Sequence, residues 1–95
     1  MMHILVKIGE PLWRTVGSRS LTLEWDRPTA TVAEALDRLG REYPDFGPAF
    51  RGQGQRLTVD YHVFVNTRMV RPDAWSRTEM KDADKLFVFL PAMGG

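Results

Sequence analysis

The chain has 95 residues, 43% of them hydrophobic and 26% charged, with no cysteine, a composition that describes one small soluble domain rather than a multidomain enzyme. A chain this short cannot also wall off a large substrate cavity, and the lack of cysteine excludes disulfides, thiolate metal sites and cysteine nucleophiles. Lys and Arg number 13 against 12 Asp and Glu, with the signs interspersed, so no basic stripe that would track phosphates is present and nucleic acid is not an expected partner.

No run approaches the ~18 apolar residues of a membrane span, and the opening segment from Met1 to Trp13 has no basic leader before a long apolar block. The expected location is therefore cytoplasmic, with no membrane partner.

Ile4, Val6 and Ile8 recur at period two, with Leu5 among the intervening positions, which predicts an opening strand at least half buried. Gly9, Glu10 and Pro11 interrupt it. Leu21, Leu23 and Trp25 alternate with Thr22, Glu24 and Asp26, a second strand with one wet face, closed by Pro28. The two strands form a hairpin around the loop that holds Trp13 and Gly17.

Thr31 and Glu34 stand at capping-box spacing, and Val32, Leu36, Leu39 and Tyr43 follow as one apolar stripe, which predicts a helix that Pro44 ends. On its wet side Glu34 with Arg38 and Asp37 with Arg41 are expected to pair at i,i+4. Gly40 weakens the helix interior.

Gly47, Pro48, Gly52 and Gly54 mark 45–55 as a loop, with one helical turn around Pro48 to Arg51. From Leu57 to Asn66 the pattern predicts a long strand, with Leu57, Val59, Tyr61, Val63 and Val65 on one face and Phe64 on the other. Asn66 and Thr67 turn the chain into a short strand at Met69 and Val70. Pro72 to Lys81 reads as irregular and Asp82 to Asp84 as a tight polar turn. Leu86 to Leu90 is apolar throughout and reads as a central strand covered on both faces. A β-β-α-β-β order with one helix across one sheet face predicts an α+β protein of the β-grasp arrangement, with four to five strands in a mixed sheet. Residues 1–90 form the single domain and 91–95 a flexible tail.

That tail reads Pro91, Ala92, Met93, Gly94, Gly95. Pro91 ends sheet pairing, and two terminal glycines have no side chain with which to stabilise a fold. Their advantage is access: a carboxylate with no Cβ beside it enters a narrow active site and presents itself as a reactant.

Val63, Phe64, Val65, Asn66, Thr67, Arg68, Met69 and Val70, together with the run from Lys81 to Pro91, resemble the ubiquitin-like sulfur carriers. This family includes the molybdopterin synthase small subunit and the thiamine-pathway sulfur carrier. The first segment is similar to the family's apolar strand, Asn-Gly-Arg-like turn and following valine. The second is similar to its Lys-Asp-Gly-Asp turn and proline-ended strand, with Ala83 where the family has glycine.

The resemblance implies that a ubiquitin-activating-type enzyme uses ATP and magnesium to adenylate the Gly95 carboxylate, that a sulfur donor displaces AMP, and that the thiocarboxylate serves a biosynthetic acceptor. Molybdopterin synthesis stands first, through a molybdopterin synthase large subunit; thiamine, tungsten-cofactor and cysteine synthesis are the other pathways. The chain itself is then a carrier and not an enzyme, and it binds no cofactor. Partner contacts fall on Pro91, Ala92, Met93 and Gly94, with Phe87 and Phe89 as either a docking patch or core. A protein modifier joined through Gly95 to lysines and a β-grasp interaction module are the competing readings.

Other chemistry has little support. Asp60 and His62 share a strand face at metal-ligand spacing, but no third ligand is recognisable, so no metal site is expected. The Gly52-Gln53-Gly54 stretch lacks the lysine and helix of a phosphate loop, and Ser18, Ser20 and Ser76 have neither elbow nor base. Trp13, Trp25, Trp75, Tyr61 and Phe64 are expected in core or interface rather than as a base-stacking platform.

Overall fold

A computed structural model describes residues 1–51 and 61–90. In chain order they form β1 (Met2–Ile8), a 3-10 turn at Leu12–Thr15, β2 (Ser20–Trp25), β3 (Thr29–Thr31), α1 (Val32–Glu42), α2 (Phe46–Arg51), β4 (His62–Val65), β5 (Arg68–Met69), a 3-10 segment at Pro72–Arg77, β6 (Glu79–Lys81) and β7 (Lys85–Phe89). Five strands make a mixed sheet in the order β2-β1-β7-β4-β5, and β3 with β6 makes a separate two-stranded ribbon.

The alternation in β1 and β2 sets which face is wet. Ile4 lies opposite Leu23 and Val6 opposite Leu21, so one antiparallel register turns all four side chains to the helix side. Strand β7 runs parallel to β1, with Val6 beside Leu86 and Ile8 beside Val88, and antiparallel to β4, with Val63 beside Val88. The last strand is thus central, and the chain between β1 and β7 crosses over one sheet face, as the β-grasp arrangement requires.

Against that face α1 buries Val32, Ala35, Leu36 and Leu39, and α2 adds Phe46. The helix begins as its sequence dictates. Glu34 N–H donates to Thr31 Oγ1 at 3.1 Å and Thr31 N–H donates to Glu34 Oε1 at 2.8 Å, a complete capping box. No helix among the described residues is long and apolar enough to cross a membrane.

Four expectations need correction. The ribbon of β3 and β6 was not predicted: Ala30 pairs with Met80, 50 residues away, and three-residue strands have no periodicity of their own. The expected helical turn near Pro48 extends back to Phe46, whose buried ring anchors it. The charges on α1 pair differently: Glu34 bonds Arg27 in the preceding turn, Arg38 bonds Glu42 at 2.8 Å, and Asp37 faces Arg51 at 3.7 Å. Glu34 is already committed to the cap, which places its second oxygen toward Arg27 rather than down the helix. Finally, among the described residues β7 is fully covered on one face only. Leu86 and Val88 are fully buried, whereas Phe87 and Phe89 are only partly buried. The long strand expected from Leu57 begins, among the described residues, at His62; positions 57–60 lie outside them.

Candidate functional site

The sheet face away from α1 is built from every residue out of phase with the core. On β1 these are His3, Leu5 and Lys7; on β7, Lys85, Phe87 and Phe89; on β4, His62 and Phe64. Register brings them together: Lys7 is beside Phe87, Leu5 beside Lys85, Phe87 beside Phe64, Phe89 beside His62, and Phe64 beside Met69. Leu5, Phe64, Phe87 and Phe89 are each partly buried and Met69 is 53% exposed. The result is an apolar stripe across four adjacent strands that no element of the chain covers among the described residues.

Phe87 and Phe89 form its centre, with ring centroids 5.6 Å apart and planes tilted by 37°. Phe89 is also wedged against the end of β1. Gly9 N–H donates to Val88 C=O at 2.9 Å, and a Cβ on Gly9 would stand 2.9 Å from Phe89 Cδ1. Only a glycine leaves the ring where it is.

Beyond Gly9 the chain turns through Leu12–Thr15 and is tied back to the strand ends. Trp13 N–H donates to Gly9 C=O at 3.0 Å, and Ile8 N–H donates to Arg19 C=O at 2.8 Å. This loop carries two arginines that share one carboxylate: Arg14 Nε and Arg19 Nη2 lie 3.2 and 3.1 Å from Glu10, and both guanidiniums lie about 5 Å from the Trp13 ring centre.

At the opposite end of β7 two turns are locked together. Asn66, at φ +56°, donates from its side-chain amide to Asp84 Oδ1 at 3.1 Å, while its own Oδ1 accepts Lys85 N–H at 3.0 Å. Asp84 is 8% exposed and accepts Lys81 N–H at 2.9 Å. Burial pushes its carboxyl upward, but the Lys81 N–H, the Asn66 amide and the Lys81 ammonium outweigh this and hold it below the usual carboxylate range. Neighbouring Asp82 is held low chiefly by His3 N–H, which donates to it at 2.8 Å.

Of the residues singled out in the sequence, Phe87 and Phe89 come together beside the end of β7, from which the tail departs. Pro91, Ala92, Met93, Gly94 and Gly95 lie outside the described residues. Leu5, Met69 and Gly9 were not anticipated in this site. For Leu5 a signal was present, since like Phe64 it breaks the polar pattern of its strand's wet face; for Met69 and Gly9 there was none. The aromatic residues weighed as a platform are dispersed, with Tyr61 and Trp75 packed on Phe50, Trp25 under Arg38, and Trp13 in the arginine loop. Among the described residues no three His, Asp or Glu side chains gather as metal ligands; Asp60 lies outside them.

Residues 10–95 match the ThiS family profile. Solved structures with the same architecture include small archaeal modifier protein 1 of Haloferax volcanii, at 25% identity over 97% of this chain and 100% of that one, with a TM-score of 0.75. A putative molybdopterin converting factor subunit 1 of Pyrococcus furiosus is 20% identical over 97% and 100% of the two chains, TM-score 0.72. A chain in the complex of subunits 1 and 2 of the Helicobacter pylori molybdopterin-converting factor is 17% identical over 99% and 100%, TM-score 0.59. No curated protein matches the sequence.

Proposed function

The chain belongs to the ThiS family, and from that premise we propose that residues 1–90 are a β-grasp carrier domain whose tail, 91–95, delivers sulfur from Gly95. The observation that carries this reading is the position of β7. A strand bonded on both sides ends at the tail, beside an uncovered aromatic stripe, so docking of that stripe fixes where the tail begins.

The chemistry runs on partner enzymes. A Gly95 carboxylate oxygen attacks the α-phosphorus of ATP on a ubiquitin-activating-type enzyme, which releases pyrophosphate and leaves an acyl-adenylate. Hydrosulfide, or a donor at the same oxidation level, then attacks the carbonyl carbon and AMP leaves, giving a thiocarboxylate. A carboxylate needs this activation because its oxygen is a poor leaving group. Magnesium and ATP belong to the activating partner, and this chain is a co-substrate rather than a catalyst. Pro91, Ala92, Met93 and Gly94 thread the active sites, while Phe87 and Phe89 dock.

The acceptor we favour is a molybdopterin synthase large subunit, in line with the likeness to molybdopterin converting factor subunit 1 and to the two-subunit complex. Thiamine, tungsten-cofactor or cysteine synthesis uses the same thiocarboxylate. A second reading, conjugation through Gly95 to lysines of other proteins, is favoured by the likeness to small archaeal modifier protein 1. Both share the adenylation step.

The deciding experiment is the intact mass before and after incubation with ATP, sulfide and the host's activating enzyme, with fragmentation of the C-terminal peptide. Fragmentation separates the gain of about 16 Da at Gly95 from methionine oxidation of nearly equal mass. An ATP-dependent gain at Gly95 is expected, and its absence from a Gly95-deleted chain. No gain, with lysine-linked conjugates in extract, would favour the modifier.

A further inference from the structure

The charges of this protein are distributed unevenly between its two faces. On the helix side three arginines are paired: Arg27 with Glu34, Arg38 with Glu42, Arg51 with Asp37. On the open sheet face Lys7 and Lys85 are exposed, sit in register beside Phe87 and Leu5, and have no acidic partner among the described residues. At the Gly9 end, Arg14 and Arg19 share the single Glu10 carboxylate and so leave one positive charge uncompensated. The carboxylates of this face gather at the other end of β1, where Glu24 and Asp82 flank His3 at 3.8 and 3.5 Å.

We infer that Lys7, Lys85 and the Arg14–Arg19 pair are a cationic frame around the Phe87–Phe89 stripe, and that the surface of the adenylating enzyme it meets is apolar at its centre and acidic at its rim. This rests on the carrier reading and names the chemistry of its first partner. The physical argument is twofold. Exposed ammonium groups beside an apolar stripe keep the free domain soluble, which an uncovered aromatic face alone would not. A carrier that visits two enzymes in turn also needs rapid capture and rapid release, and rim charges raise the association rate by steering while adding little to residence time.

The test is steady-state activation of the full chain by the host's adenylating enzyme, read as pyrophosphate release. Wild-type KM is expected to rise between about 50 and 300 mM salt as the frame is screened. In the double variant Lys7→Glu/Lys85→Glu, KM at low salt is expected to rise roughly tenfold or more with kcat unchanged, and its salt dependence to flatten or invert. A control, Arg41→Glu/Arg51→Glu, makes the same change in net charge on the helix side, away from the stripe, and is expected to keep the wild-type KM. Thermal midpoints verify that all variants fold.

A wild-type KM indifferent to salt, or equal losses in both double variants, would overturn the frame while leaving the carrier reading intact. No ATP-dependent product from wild type at any salt would instead overturn the carrier reading, and the inference with it.

Discussion

Asn66 and Asp84, 18 residues apart, hold each other at 3.1 Å and join the β4–β5 turn to the turn that launches the tail-bearing strand. Among the described residues Asp84 is the one charged residue that is buried. It is retained there because four groups satisfy the site: the Asn66 amide, the Lys81 N–H, the Lys81 ammonium at 3.5 Å, and the Lys85 N–H that orients Asn66. Removing the carboxylate in Asp84→Ala leaves two donors without partners and is expected to destabilise the fold by about 2 kcal/mol, measured by urea denaturation.

The same carboxylate is expected to contribute to the acid sensitivity of the fold. Its folded pKa lies below its unfolded one, so its contribution is complete above about pH 4 and is lost as pH falls through the folded pKa. Denaturation midpoints followed from about pH 6 to about pH 2 should fall in wild type and fall less steeply in Asp84→Asn. Equal slopes would assign acid sensitivity to other carboxylates, with Asp82 the first to examine.

Ala83, between these aspartates, sits at φ +75°, in the left-handed region. Its Cβ crowds the following carbonyl there, so Ala83→Gly is expected to raise stability by roughly 0.5–1 kcal/mol, net of the greater freedom glycine has in the unfolded chain. A lower thermal midpoint in the glycine variant would show that the turn relaxes the strain already.

Gly40 calls for the opposite change. It lies inside α1, and a Cβ there would meet only Gly47 Cα, at 4.0 Å, an ordinary van der Waals contact. Gly40→Ala should therefore gain up to about 1 kcal/mol in chemical denaturation. Gly17, at φ +90°, is the contrasting case, and Gly17→Ala should lose about as much.

Gly9→Ala tests the seat of Phe89. The new methyl displaces the far end of a partly exposed ring, so stability should change by less than about 1 kcal/mol. KM for the activating enzyme should nevertheless rise several-fold, and the same substitution made on a Phe89→Leu background should add nothing further. An additive loss in the double variant would mean that Gly9 acts independently of the ring.

Much of this fold was readable because local and global preferences agree. The capping box of Thr31 and Glu34 and the stripe through Leu36 and Leu39 specify α1 from within it, and the unbroken Leu86–Leu90 run announces a central strand. What was not readable depends on pairing at a distance. Nothing near Ala30 indicates that Met80 lies opposite, and nothing near Gly9 indicates that Phe89 lies over it. The docking stripe was half visible. Phe87 and Phe89 declare themselves by alternation, but Leu5 and Phe64 join them only once parallel and antiparallel registers align three strands.

Strand β7 is hydrogen-bonded along both edges, to β1 on one side and β4 on the other, with Leu86 and Val88 fully buried. A pull applied at its C-terminal end therefore acts along two ladders at once, loading all their bonds in shear instead of opening them one at a time. An enzyme that draws the end of the chain into its active site cannot peel this strand away without dismantling the whole core, so the domain behaves as a rigid handle on whatever its last residue carries.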